Sequence, residues 1–174
     1  SIMNRALTYD DVNIIPKYSE LNSRGDVKLN TRFTKNTEIT IPIVASPMDT
    51  VTELDMAREM MLWGGVGVIH RFMSIEEQAK MMKKLCYMPE SDHIVITNNL
   101  PRCAAIGVTD DYLERSQELF KNGCNVLLID VAHGHHKLVG EAIEKIKTRL
   151  EQIEVVAGSV ATAEACEYLC EKGA

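Results

Sequence analysis

The chain has 174 residues, of which 45% are hydrophobic and 25% charged, and a formal net charge of −6. That balance excludes a predominantly disordered chain, the length suits one domain rather than two, and the charge argues against a broad nucleic-acid footprint. No apolar stretch approaches the roughly 20 residues that span a bilayer, and Ser1–Arg5 lacks the charged-then-apolar pattern of a secretory signal. Neither nucleic acid nor a membrane is therefore expected as a partner. The five cysteines, Cys86, Cys103, Cys124, Cys166 and Cys170, form an odd set without a CxxC pair. This is cytoplasmic thiol usage rather than a disulfide framework. Cys166 and Cys170 read as core packing, and no nearby His or Cys completes a metal site.

Residues 1–40 are polar and turn-rich and read as an N-terminal arm wrapping the body, with weak strand signals at 12–15 and 27–29. Adjacent Asp10 and Asp11 read as turn or solvent groups. Five short apolar runs follow, at 41–45, 66–69, 103–108, 126–131 and 153–160. Most are continuous rather than alternating, which predicts a parallel sheet buried on both faces.

A helical pattern follows each run. Thr52 caps the first, with an apolar stripe of Leu54, Ala57, Met60 and Met61, and Gly64-Gly65 stops it. Ser74 and Glu77 form a capping box on the second, which buries Ile75, Ala79 and Met82 and runs to about Leu85. The third starts near Asp110 or Asp111, uses Leu113, Leu119 and Phe120, and ends at Gly123. The fourth spans about 136–150, with Val139, Ala142, Ile143, Ile146 and Leu150 at helical spacing. The fifth begins after Thr162 and ends near Gly173. Between the second helix and third run, residues 87–102 carry turn signals at Pro89, Asn98, Asn99 and Pro101, and a short extra strand at 94–96.

Successive βα units of this kind build an α/β fold. Five units cannot close an eight-unit barrel, which takes about 250 residues. The expected architecture is a partial TIM (β/α)8 barrel, its first five units. A complete five-stranded doubly wound sheet is the plainer alternative.

The motifs now resemble one family. Residues 6–12 (ALTYDDV), 16–19 (PKYS), 41–53 (IPIVASPMDTVTE), 64–70 (GGVGVIH), 130–135 (DVAHGH) and 156–162 (VAGSVAT) lie in order after successive strands. Together they are similar to the catalytic barrel of the inosine monophosphate dehydrogenase and guanosine monophosphate reductase family. The segments at 48–53 and 132–135 resemble the dehydrogenase branch more than the reductase branch. The resemblance makes 1–174 the N-terminal portion of a catalytic barrel domain. Family members often insert a tandem CBS module after the second barrel helix. Here 87–102 is a shortened insertion site, and the chain lacks that module.

The resemblance implies site residues. Ser46, Met48 and Asp49, after the first core strand, would seat a purine mononucleotide. A serine hydroxyl can donate to phosphate or ribose, and a methionine can pack on a base. The plain alternatives are a turn bond for Ser46 and core packing for Met48. Asp130 would accept from hydroxyls of the nicotinamide riboside, or else cap a helix. Val131, Ala132 and His133 would line the cofactor pocket. His135 reads better as a surface or cap residue. Gly158 would allow a close backbone approach, and Ser159 would meet substrate. The family usually has Asn at 159, and a hydroxyl keeps only one end of an amide's hydrogen bonding. Gly64, Gly65 and Gly67 read as turn and packing residues, not a dinucleotide fingerprint. His70 reads as a satisfied structural histidine.

By resemblance, the activity is NAD-dependent oxidation of inosine monophosphate to xanthosine monophosphate in guanine nucleotide biosynthesis, by a cytoplasmic homotetramer. A cysteine thiolate would attack purine C2 as hydride leaves, and water would release the product. A potassium ion beside the cysteine loop is a further expectation. That loop follows a sixth strand, so no catalytic residue is assigned among these 174, and the chain alone is expected to be inactive. A nucleotide-binding assembly protein and a reductase acting on guanosine monophosphate with NADPH are the alternatives.

Overall fold

The computed structural model describes residues 6–87 and 100–174. The proposed strand at 94–96 lies outside them.

Two antiparallel strands, β1 (Thr31–Arg32) and β2 (Glu38–Ile39), form a small hairpin. Five parallel strands follow: β3 (Val44–Ala45), β4 (Val66–Ile69), β5 (Cys103–Ile106), β6 (Val126–Ile129) and β7 (Glu154–Ala157). Each pairs with its neighbour in sequence, in the order β3-β4-β5-β6-β7. Five helices alternate with them: α1 (Leu54–Leu62), α2 (Ile75–Cys86), α3 (Tyr112–Lys121), α4 (Lys137–Arg149) and α5 (Ala163–Glu171). An order that never reverses excludes the doubly wound alternative, whose strand order turns back at a switch point. This is the (β/α)5 portion of a TIM barrel, and the described residues hold no CBS module.

The two faces of the sheet carry different cores. One contains Ile69, Ala104, Ile106, Leu127, Ile129 and Val155 and packs against buried residues of all five helices. The other contains Val66, Val68, Cys103, Ala105 and Val126, covered in part by Ile39 and Phe33 of the hairpin. The period-two alternation of a strand thus separates an outer, helix-facing side from an inner side. Gly67 faces outward and lets α1 approach: a Cβ there would stand 2.5 Å from Ala57 Cα. Gly64 takes φ +84 and Gly123 takes φ +94, the turn and helix-end conformations that glycine favours.

Several local expectations change. The strand signals at 12–15 and 27–29 form no strand; 3-10 turns at Tyr9–Asp11 and Arg24–Asp26 flank extended chain instead. Residues 6–32 are exposed throughout rather than wrapped onto the body. Asp11 is a turn group, accepting from the Thr8 amide and hydroxyl. Thr52 does not cap α1. Its hydroxyl donates to the Ser46 carbonyl at 2.7 Å, and Glu53 occupies the cap position without a side-chain bond. Cys166 and Cys170 are exposed, because Ala165 and Leu169 supply the buried stripe of α5. The Ser74–Glu77 box forms as expected, and α5 begins after Thr162 as expected, the Thr162 hydroxyl accepting from the Ala165 amide.

The hairpin sits at the N-terminal end of the sheet. The Thr40 and Ile41 amides donate to the Gly64 carbonyl at 2.9 and 3.1 Å, just before β4. At the far edge, the Glu154 carboxylate accepts from the Thr34 hydroxyl, the Asn36 amide at 2.9 Å and the Thr37 hydroxyl at 2.9 Å. Two short strands thereby tie the first turn of the sheet to its fifth strand.

Candidate functional site

Because all five strands run the same way, their C-terminal ends share one end of the sheet. Ala45 pairs with outward-facing Gly67, while Ile106, Ile129 and Ala157 pack in or against the outer core. One residue further, alternation assigns Ser46, Gly107, Asp130 and Gly158 to the inner side of the mouth.

The loop after β3 is open to solvent. Met48 is 51% exposed, which excludes core packing. The Ser46 carbonyl takes two bonds, from Thr52 and from the Met48 amide at 2.8 Å. Its side chain is exposed and makes none among the described residues. Asp49 lines a separate hollow of about 340 Å³ with Thr50, Val51 and Glu53.

The loops after β6 and β7 are laced together. The Ser159 amide donates to the Val131 carbonyl at 3.0 Å, and the Gly134 amide to the Ser159 carbonyl at 2.7 Å. Ala132, His133, His135, Ser159, Val160 and Thr162 line one hollow of about 230 Å³. Val131 contributes only backbone here; its side chain packs against the outer core. Within the protein itself, the close backbone approach between these loops is at Gly134. A Cβ on Gly134 would stand 2.8 Å from the Ser159 carbonyl, whereas one on Gly158 meets nothing within 4 Å.

Asp130 does not cap α4. That position belongs to His136, whose Nδ1 accepts from the Leu138 amide at 3.1 Å. His135 packs instead beside the Tyr168 ring, centroids 5.6 Å apart. Asp130 is left at the mouth with one charged neighbour among the described residues, Arg71, whose Nε lies 3.6 Å from Oδ2. Sequence reasoning passed over Arg71. Its only local signal is an arginine immediately after a strand-end histidine.

His70 is buried and satisfied, as expected of a structural residue. Nδ1 accepts from the Phe72 amide at 3.1 Å, so the ring proton sits on Nε2, which donates to Glu53 Oε1 at 3.0 Å.

Three cysteines are ill suited to nucleophilic work. Burial pushes the Cys103 thiol well above its ordinary value and the Cys124 thiol up to about 12, and it raises Cys86 as well. A thiol held protonated is a poor nucleophile. Cys166 and Cys170 lie within α5, not on a strand-end loop. Among the described residues, no group of three or more His, Cys, Asp or Glu side chains is placed to hold a metal ion, and no helix is long and apolar enough to cross a membrane.

A family model described as the IMP dehydrogenase / GMP reductase domain matches residues 6–174. The chain belongs to that family. An inosine-5'-monophosphate dehydrogenase of Borreliella burgdorferi is 34% identical, over 99% of this chain and 52% of that protein. One of Cryptosporidium parvum is 32% identical, over 99% and 50%. A GMP reductase of Leishmania major is 27% identical, over 97% and 60%. Most of the named relatives are IMP dehydrogenases, which supports the dehydrogenase branch. The chain spans about half the length of the first two relatives.

Proposed function

We propose that the full-length protein oxidises inosine monophosphate to xanthosine monophosphate with NAD, with residues 1–174 supplying the early loops of the nucleotide and cofactor sites. The observation that carries this reading is the shared placement of Ser46, Asp130 and the Gly158–Ser159 loop at one end of a parallel sheet. Substrates bind at that end in this fold.

The residues at the mouth fit a dinucleotide. A carboxylate offers two acceptor oxygens, the complement of a ribose diol, and Asp130 presents one that is half-buried at the strand end. The hollow between the loops after β6 and β7 combines small walls from Ala132 and Ala161 with the polar groups of His133, Ser159 and Thr162. In this reading Asp130 orients the riboside, while Ala132, His133, Val131 and Gly158 frame the cofactor. Ser46, Met48, Asp49 and Ser159 contact the mononucleotide. NAD, when bound, accepts the hydride from purine C2. The nucleophilic thiol and the potassium site belong to a later loop outside these residues, and the whole protein acts as a cytoplasmic homotetramer.

Two substrate pairs test this reading on the full-length protein. Inosine monophosphate with NAD should yield xanthosine monophosphate and NADH. Turnover of guanosine monophosphate with NADPH instead would assign the reductase activity. Nucleotide binding without either product would support an assembly role. Within the dehydrogenase reading, Asp130→Ala should raise the KM for NAD about tenfold or more, the size expected for losing a charge-assisted hydrogen bond, and should change the KM for the mononucleotide far less.

A further inference from the structure

Arg71 lies where no local pattern would put it. It follows β4, yet its guanidinium reaches Asp130 at the end of β6, two strands away. Adjacent strands are about 4.8 Å apart, so the side chain must cross the end of β5. The residue there is Gly107. A Cβ built on it would stand 3.5 Å from Arg71 Nη1 and 3.8 Å from Cζ, so the guanidinium lies directly against the bare backbone. Its Cζ is also 5.1 Å from the centroid of the Phe72 ring.

The polar contacts of this group among the described residues all go to Asp130. Nη2 donates to the Asp130 backbone carbonyl at 3.3 Å. Nε is shielded from solvent, has no hydrogen-bond partner among the described residues, and sits 3.6 Å from Asp130 Oδ2. The turn carrying Arg71 is itself pinned, because buried His70 accepts from the Phe72 amide and donates to Glu53. The Arg71 and Asp130 side chains are each 34% exposed. An ion pair of that exposure adds little to stability, so folding does not account for the arrangement.

We propose that Arg71 is a positioning residue for Asp130: it holds the carboxylate across Gly107 so that the remaining oxygen meets the riboside hydroxyls of the dinucleotide. The proposal rests on the dehydrogenase reading above. Oδ1 accepts no hydrogen bond among the described residues, and a carboxylate held by an ion pair at one oxygen and by a hydrogen bond at its own backbone carbonyl loses less freedom when ligand binds.

The test uses the full-length protein and equilibrium binding alongside turnover. Arg71→Ala and Arg71→Gln should weaken NAD binding about tenfold, the size of one charge-assisted hydrogen bond, while inosine monophosphate binding stays within about twofold and the thermal midpoint stays near that of the unaltered protein. Arg71→Lys keeps the charge without the planar fork and should recover to within about threefold. Gly107→Val leaves the arginine in place but fills its seat, and should reproduce the Arg71→Ala loss. Combining Arg71→Ala with Asp130→Ala should cost no more than Asp130→Ala alone. Unaltered NAD binding in Arg71→Ala, equal losses for both ligands, or an additive double variant would overturn the positioning role while leaving the dehydrogenase reading intact. An unaltered protein that binds no NAD would overturn both.

Discussion

Arg115 donates from Nη1 to Oε1 of Gln78 at 2.9 Å, and both side chains are buried. The amide group of Gln78 shares its two protons among the carbonyls of Ile69, His70 and Ala105, at 3.3, 3.0 and 2.9 Å. Arg115 also bonds the Met73 carbonyl and the Asp111 carboxylate. One glutamine thus ties α2 to the ends of β4 and β5, and one arginine ties α3 to α2. Every donor here would be costly to leave unpaired. Gln78→Ala should lower stability by about 3 kcal/mol, and Gln78→Leu by a similar amount, because the three carbonyls and the guanidinium each lose a partner. Urea denaturation at neutral pH measures it, and a loss under about 1 kcal/mol would refute the account.

Glycine at 67 is a packing requirement, and glycine at 158 is not. A methyl group at 67 meets the backbone of α1 at 2.5 Å, whereas one at 158 meets open space. Gly67→Ala should cost about 2–3 kcal/mol through displacement of α1. Gly158→Ala should stay within about 0.5 kcal/mol. Parallel denaturant curves of the two variants make the comparison, and equal midpoints would contradict it.

Glu154 should make the hairpin acid-sensitive. Burial by itself raises its carboxyl, but hydrogen bonds from Thr34, Asn36 and Thr37, with Lys147 nearby, outweigh that and hold it below its ordinary value of 4.5. A carboxylate with a depressed folded value stabilises above the unfolded value and loses that contribution as pH falls through the folded one. Glu154→Gln should therefore cost about 1 kcal/mol at pH 7, a figure discounted for partial exposure. The difference from the unaltered chain should shrink as pH falls below 4.5 and be lost once the carboxyl is protonated in the folded state. Thermal midpoints across that range test it, and a constant offset at every pH would speak against the carboxylate.

The cysteines should sort by burial. Cys103 and Cys124 are buried with raised thiols, while Cys166 and Cys170 are exposed. Brief alkylation of the native protein at pH 7.5 should label Cys166 and Cys170 first, with Cys103 and Cys124 reacting only on unfolding. Peptide mass spectrometry reads the order, and early labelling of Cys124 would show that its end of β6 opens.

Much of the fold was legible because its signals are local. Ser74 and Glu77 sit three residues apart and cap α2 by themselves; Thr162 caps α5 in the same way. Apolar runs located the core strands, and the motif order pointed to the barrel family. Where local reading failed, a distant partner decided. Thr52 looks like a cap, but its hydroxyl goes to Ser46 six residues back. Cys166 and Cys170 look like core, but the rotation of α5 is set by Ala165 and Leu169 packing inward.

By itself, the sequence determined the alternation of strands and helices, the helix ends and the loops that carry Ser46, Asp130 and Ser159. Periodicity, capping and glycine turns act over a few residues, so they survive without any knowledge of the fold. Only the tertiary structure decided that Arg71 crosses Gly107 to Asp130, 59 positions further along, or that Asn36 clasps Glu154, 118 positions further along. Such contacts depend on strand register and on which face of each strand points inward, and those follow from packing the whole sheet rather than from any stretch of it.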